Sequence, residues 1–275
     1  MPPDFFKIED DTRAAAKLAH RILFGLFLAQ WFLVWTRLWS HQHTLSPTHW
    51  PEALLVLFGA ANTLATFSRE LPWQDVLAAS VLITLASGAS EGLAVLAGAP
   101  AARFVASGST WAVPLVWLIA ILNARGIGRL ALFRWRKSRV YGLWLIGLAA
   151  LLVVLFGVGL RFFCAAHLTL MPASISWLHL LYWWVTAALA LVVATPWFID
   201  KRPVERLPAR QPMITWMLLN FLFASATALT GSWPVTAIIV TANGIILFVA
   251  WRSLTLGVGV SPAFFRVCVG EKSED

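Results

Sequence analysis

Charge is scarce in this sequence: Asp, Glu, Lys and Arg together make up 12% of its 275 residues, about half the share of a soluble domain. Cysteine is scarcer still. Cys164 and Cys268 are the only two, which excludes a disulfide framework or a thiolate metal site and leaves the redox compartment unread. Several chemical signatures are also missing. There is no Walker loop, no glycine fingerprint after a strand and no His-Glu-x-x-His, and no Gly-x-Ser-x-Gly elbow. No paired aspartates stand in an apolar run to hold magnesium and a prenyl diphosphate, and the carboxylate relay of a typical proton-coupled pump is lacking. His41-x-His43 is a loose pair without clustered carboxylates, so no metal site is expected, and nothing calls for an organic cofactor.

What is present is apolar and aromatic: 59% hydrophobic residues, 16 Trp and 18 Phe, with a mean hydropathy of +0.75. Disorder, collagen and coiled coil are excluded. About 20 mostly apolar residues cross a bilayer as a helix, and eight such runs can be read. They are approximately Ile22–Leu38, Pro51–Phe67, Val76–Ala97, Ser107–Asn123, Val140–Leu160, Ile175–Ile199, Pro212–Thr230 and Pro234–Trp251. The fourth is the weakest, being short and carrying Pro114 in its first third. Pro212 and Pro234 stand where a first-turn proline costs no hydrogen bond. The expected fold is all-α, a polytopic transmembrane helix bundle of about eight spans.

Charge placement tests that count independently. Numbering the loops in order, 18 of the 21 Lys and Arg fall on one side, leaving Arg37, Arg103 and Arg161 on the other. Basic residues stay cytoplasmic because translocating them is unfavourable, so both termini are expected inside. Residues 1–21 then form a cytoplasmic N-terminal segment, 22–251 a single transmembrane helical domain and 252–275 a cytoplasmic tail. The first run follows Asp10, Asp11 and Lys17 and has no small-x-small cleavage site, so it is expected to stay in the cell membrane as a signal anchor. The net charge of +8 does not indicate nucleic acid, because no loop is long enough for a solvated basic domain. The run Arg125–Arg139 reads as a topology determinant, with contact to anionic lipid headgroups as the alternative.

Glu91 is the one carboxylate within a run beyond its first two residues, in Gly88-Ala89-Ser90-Glu91-Gly92. Gly88 and Gly92 form a small-xxx-small face that lets a neighbouring helix approach, which would hold Glu91 in a poorly solvated crevice as a candidate general acid. An ion pair with Arg103, or headgroup exposure, is the competing reading. Gln30, Asn62, Asn123, His179, Asn220 and Asn243 are the other intramembrane polar groups, each readable as interhelical glue or as part of a site. Trp31, Trp35 and Trp39 recur every four residues on one helix face, and Trp111, Trp117, Trp177 and Trp183 sit near run ends. They fit an interfacial belt or an aromatic slot for a conjugated ligand or a transient cation.

Glu91-Gly92, Gly98-Ala99-Pro100, Gly108, Val113-Pro114-Leu115 and Trp117 together resemble the integral-membrane carotenoid biosynthesis family that includes the carotenoid 1′,2′-hydratases of the bisanhydrobacterioruberin hydratase type. A looser likeness in hydropathy and loop placement continues through Thr195-Pro196-Trp197. The family's tyrosine-bearing continuation is replaced by Pro100-Ala101-Ala102-Arg103-Phe104, and its later acid has no counterpart between Val154 and Phe163. The resemblance implies acid-catalysed hydration of the terminal double bond of an acyclic carotenoid or related isoprenoid. Glu91 would be the catalytic acid, and Arg103, Trp111, Trp117, His179 and Asn220 the candidate substrate-binding residues, with Ser90, Ser107 or Asn123 available to hold water. The implied partners are membrane lipid and a long apolar isoprenoid. A small-solute transporter and a non-catalytic lipid- or pigment-binding subunit are the alternatives, and the absence of an evident internal repeat weighs against an inverted-repeat transporter.

Overall fold

The structure, a computed structural model, describes residues 4–40, 50–96, 112–136, 138–168, 177–198 and 209–257. These form eight helices, with no strand among the described residues: α1 (Asp4–Trp39), α2 (Trp50–Phe67), α3 (Trp73–Leu96), α4 (Ala112–Ala131), α5 (Tyr141–Leu168), α6 (Trp177–Ala194), α7 (Gln211–Leu229) and α8 (Trp233–Gly257). Short 3-10 turns follow α4 at Phe133–Trp135 and α6 at Thr195–Phe198, the second where Pro196 has no N–H to continue the helix. Seven of the eight helices are long and apolar enough to cross a membrane. The chain is thus a polytopic helical bundle. The exception is α2, whose 18 residues include Glu52, Asn62, Thr63 and Thr66, all turned into the bundle.

The expected weakest span is the centre of the molecule. α4 packs against α2, α3, α5, α7 and α8. It has the lowest mean hydropathy of the seven spanning helices, yet 83% of it is buried, against 17% for the more apolar α8. A helix walled by other helices needs less hydrophobicity than one that faces lipid. It also runs on past Asn123 to Ala131, so Arg125 and Arg129, expected in a loop, belong to the helix. Arg161 likewise lies within α5, not in the loop after it.

Close approach holds α4 in place. A Cβ on Gly126 would lie 2.6 Å from Cβ of Pro212 at the start of α7, so the α4 backbone packs there directly on the proline ring. Buried amides add hydrogen bonds across the core. Asn62 Nδ2 donates to Thr215 Oγ1 (3.1 Å) and Asn123 Nδ2 to Thr63 Oγ1 (3.0 Å), joining α2 to α7 and α4 to α2. The Trp216 indole donates to Asn243 Oδ1 (2.9 Å), joining α7 to α8.

α3 turns a different face inward from the one its glycines suggest. Val76, Ser80, Ile83 and Ser87 are buried, and Ser90 continues their alternation of four and three residues, the spacing of a helix-packing seam. Gly88 and Gly92 lie off this seam, exposed, with nothing within 4 Å of a Cβ on either. The expected small-xxx-small contact is therefore not made. Serine supplies the close approach instead, with the hydroxyls of Ser80 and Ser87 donating to carbonyls of their own helix.

The tryptophans of α1 contribute to packing as well. The Trp31 indole donates to Leu218 O (2.7 Å) and that of Trp35 to Ser225 Oγ (3.4 Å), tying α1 to α7, while the two indole rings stack 6.1 Å apart. Arg37 pairs with Glu52 of α2 at 3.6 Å.

Candidate functional site

The last turns of α3 and the first turns of α4 and α6 meet at the end of the bundle opposite the basic loops. Glu91 is there, half-buried. The side chain of Trp117, whose only donor is the indole N–H, lies next to the Glu91 carboxyl. Trp117 is itself buried, and lies on the α4 face turned toward α3. Two candidates named from the sequence are thereby brought together. Beside them Ser90 Oγ donates to the Tyr182 hydroxyl (2.7 Å) and lies 2.8 Å from Thr186 Oγ1. Tyr182 and Thr186 are one turn apart on α6, so both project toward the same stretch of α3. The α6 helix is seated by Trp183, whose ring fills the place a Cβ on Gly157 of α5 would take at 2.8 Å.

This arrangement offers one carboxyl beside an indole N–H and three hydroxyls that meet at Ser90. Each hydroxyl can donate once and accept twice, so the group retains acceptor capacity for a water. The carboxyl keeps part of its surface exposed, as do Ser90 and Tyr182. Neither Tyr182 nor Thr186 was among the residues singled out from the sequence. The available signal was the scarcity of tyrosine, with only Tyr141 and Tyr182 present, the first at the very start of an apolar run and the second well inside one.

The other candidates are distributed differently. His179 is half-buried in the first turn of α6, three residues before Tyr182, and has an interaction partner. Asn220 is buried on α7, its Nδ2 donating to Trp216 O (3.0 Å), and lies outside the α3–α4–α6 cluster. Asn123 is engaged by Thr63 and by Ile119 O (2.8 Å), so it is a core tie and not a water holder beside Glu91. Arg103, Trp111, Ser107 and the histidines 41, 43 and 49 lie outside the described residues.

A second polar group occupies the basic end. Glu70, just beyond α2, accepts from Arg129 Nη1 through one oxygen (2.7 Å) and from the Ala209 backbone N–H through the other (2.6 Å). One turn earlier on α4, Arg125 is 7% exposed. Its guanidinium lies 4.0 Å over the Phe198 ring, and its Nη2 donates to Phe198 O at 3.3 Å.

Comparison with protein-family models, with curated proteins and with solved structures finds no match for this chain.

Proposed function

We propose that the chain is an enzyme of the cell membrane that hydrates the terminal double bond of an acyclic carotenoid or related isoprenoid, with Glu91 as the acid. The observation that carries this reading is the Glu91 carboxyl, next to the Trp117 indole and adjacent in the chain to Ser90, where the hydroxyls of Tyr182 and Thr186 meet. The resemblance of the Glu91–Trp117 stretch to the carotenoid hydratases supports it.

The chemistry follows from those groups. The Glu91 proton adds to the terminal alkene carbon that carries fewer alkyl groups, and the π electrons form the new C–H bond. A tertiary carbocation is left on the neighbouring carbon. The electron-rich Trp117 ring is the aromatic group fixed at the carboxyl. A water held by the hydroxyl group attacks the cation, and its surplus proton returns to the Glu91 carboxylate. One water is added and the acid is regenerated. A long polyene partitions into the bilayer, so it reaches a half-exposed site on the bundle wall from the lipid.

The test is expression in a host that accumulates acyclic carotenoids, with pigments analysed by mass. The native chain is expected to yield products heavier by one water. Glu91→Gln is expected to lower their yield at least about 100-fold, the lower end of what a positioned acid contributes. Hydration that survives Glu91→Gln removes Glu91 as the acid. A chain that retains pigment through purification without changing its mass is a pigment-binding bundle and not a hydratase.

A further inference from the structure

Arg125 presents a physical anomaly at the end of the bundle opposite Glu91. It stands on the most enclosed helix, its exposure is 7%, and its Nη1 has no hydrogen-bond partner. A buried charge in a membrane protein is costly and marks a site by default, and a buried donor without a partner calls for an explanation. The nearby carboxylate does not supply one, because both oxygens of Glu70 are engaged, by Arg129 and by Ala209. The ring of Phe198 and its carbonyl satisfy one side of the guanidinium and leave the other edge of its fork free.

The surroundings share this excess of donors. The residue after Arg125 is Gly126, which packs directly on Pro212 in the first turn of α7. Beside Pro212, Gln211 has a buried Nε2, again with no partner. The N-cap residue of α7, Arg210, makes no side-chain capping bond, and the one contact to an anion shown at that helix start is the Ala209 N–H to Glu70. Arg125 and Arg129 are one turn apart and lie on one face of α4. Among the described residues, two unpartnered donors and a second arginine thus lie at the last turns of α4 and the first turn of α7, where both oxygens of Glu70 are already engaged. Arg125 lies about 9 Å along the helix axis from the end of α4 at 1.5 Å per residue. That places it within reach of the phosphate layer of a bilayer.

We propose that Arg125, with Gln211 and the first turn of α7, forms a binding site for a phosphoryl group at the basic end of the bundle. The planar fork of arginine matches phosphate oxygens two at a time, which fits one engaged and one free terminal nitrogen. The site is separate from the Glu91 cluster and does not depend on the activity proposed there. The phosphoryl group belongs either to a phospholipid headgroup or to free phosphate.

The test uses the full-length chain, purified in a neutral detergent and stripped of lipid, with thermal denaturation and native mass spectrometry as readouts. Phosphatidylglycerol and inorganic phosphate are titrated separately. One of them is expected to raise the melting temperature saturably, and which one does so identifies the source. Bound phosphatidylglycerol is expected to persist in the mass spectrum if the headgroup is the source. Arg125→Met is expected to weaken that probe at least about tenfold, the loss of one charge-assisted contact. The lipid-free Arg125→Met protein should melt no lower than the native chain, since an apolar side chain replaces an unpaired buried charge. Should Arg125→Met fail to fold, Arg125→Lys and Gln211→Leu decide: each is expected to weaken binding about threefold or more, and native affinity in both overturns the site. A native chain that neither probe stabilises overturns it too.

Discussion

At its first turns α4 offers Trp117 to a carboxyl that stays half exposed, whereas at its last turns it encloses Arg125 and ties Arg129 to Glu70. The two ends differ in packing as much as in charge. Around Glu91 the helices meet through serine, threonine and tyrosine hydroxyls, with open space beside Gly88 and Gly92. Around Arg125 they meet backbone to ring, at Gly126 and Pro212, with no room for a methyl group. Interiors as dense as the one around Gly126 hold one arrangement, whereas Glu91 and Ser90 keep part of their surface exposed. The same helix thus carries a rigid end that fixes the bundle and an accessible end where chemistry is possible.

The largest effect on stability is expected where packing is tightest. Gly126→Val puts two branches where even a Cβ lies 2.6 Å from Pro212, and the neighbour is a proline ring that cannot rotate away. Overpacking of this kind costs about 3 kcal/mol. The protein should lose its sharp peak in size-exclusion chromatography or melt many degrees lower in detergent. Native-like melting of Gly126→Val would show that the basic end is not the rigid one, and the contrast between the two ends would collapse.

A smaller loss is expected from Glu70→Ala. It removes the acceptor of both Arg129 and the Ala209 N–H. Charged hydrogen bonds contribute about 1.5–3 kcal/mol when dry, but this pair keeps roughly a fifth of its side-chain surface exposed. Screening reduces the expected cost to about 1 kcal/mol. The difference in melting temperature between the native chain and Glu70→Ala should shrink as salt is raised. A difference that is independent of salt would make the Glu70 contact a matter of shape and not of charge.

Much of this architecture was legible in composition and period. Helix number and type followed from apolar runs and alternating basic loops, because the bilayer imposes both. Rank within the bundle was not legible: hydropathy measures fitness for lipid, so the helix least in contact with lipid read as the weakest. The basic run after Asn123 read as loop for a related reason. Arginine normally ends a span, and only the three-dimensional arrangement of Phe198 and α7 lets Arg125 stay inside one. At the candidate site, Glu91 stood out because it was the one carboxylate beyond the first turn of a run, and Trp117 through the spacing that resembles the hydratases. Tyr182 and Thr186 reach Ser90, the neighbour of Glu91, from a helix some ninety residues away, and no local pattern encodes that meeting.

The glycines of α3 give the finest discrimination between the two ends. Sequence favours Gly88 and Gly92 as a packing face, yet both lie exposed with nothing within 4 Å of an added Cβ. Glycine inside a helix is about 0.5–1 kcal/mol less favourable than alanine, and at an open position nothing offsets that cost. Gly88→Ala and Gly92→Ala should therefore leave the melting temperature unchanged or raise it slightly, and the hydration assay should be unaffected. The same one-carbon change at Gly126 should be damaging, since the Cβ alone meets Pro212. If instead Gly92→Ala lowers stability as Gly126→Ala does, the α3 face is covered by another helix, and the end that carries Glu91 is as closely packed as the end that carries Arg125.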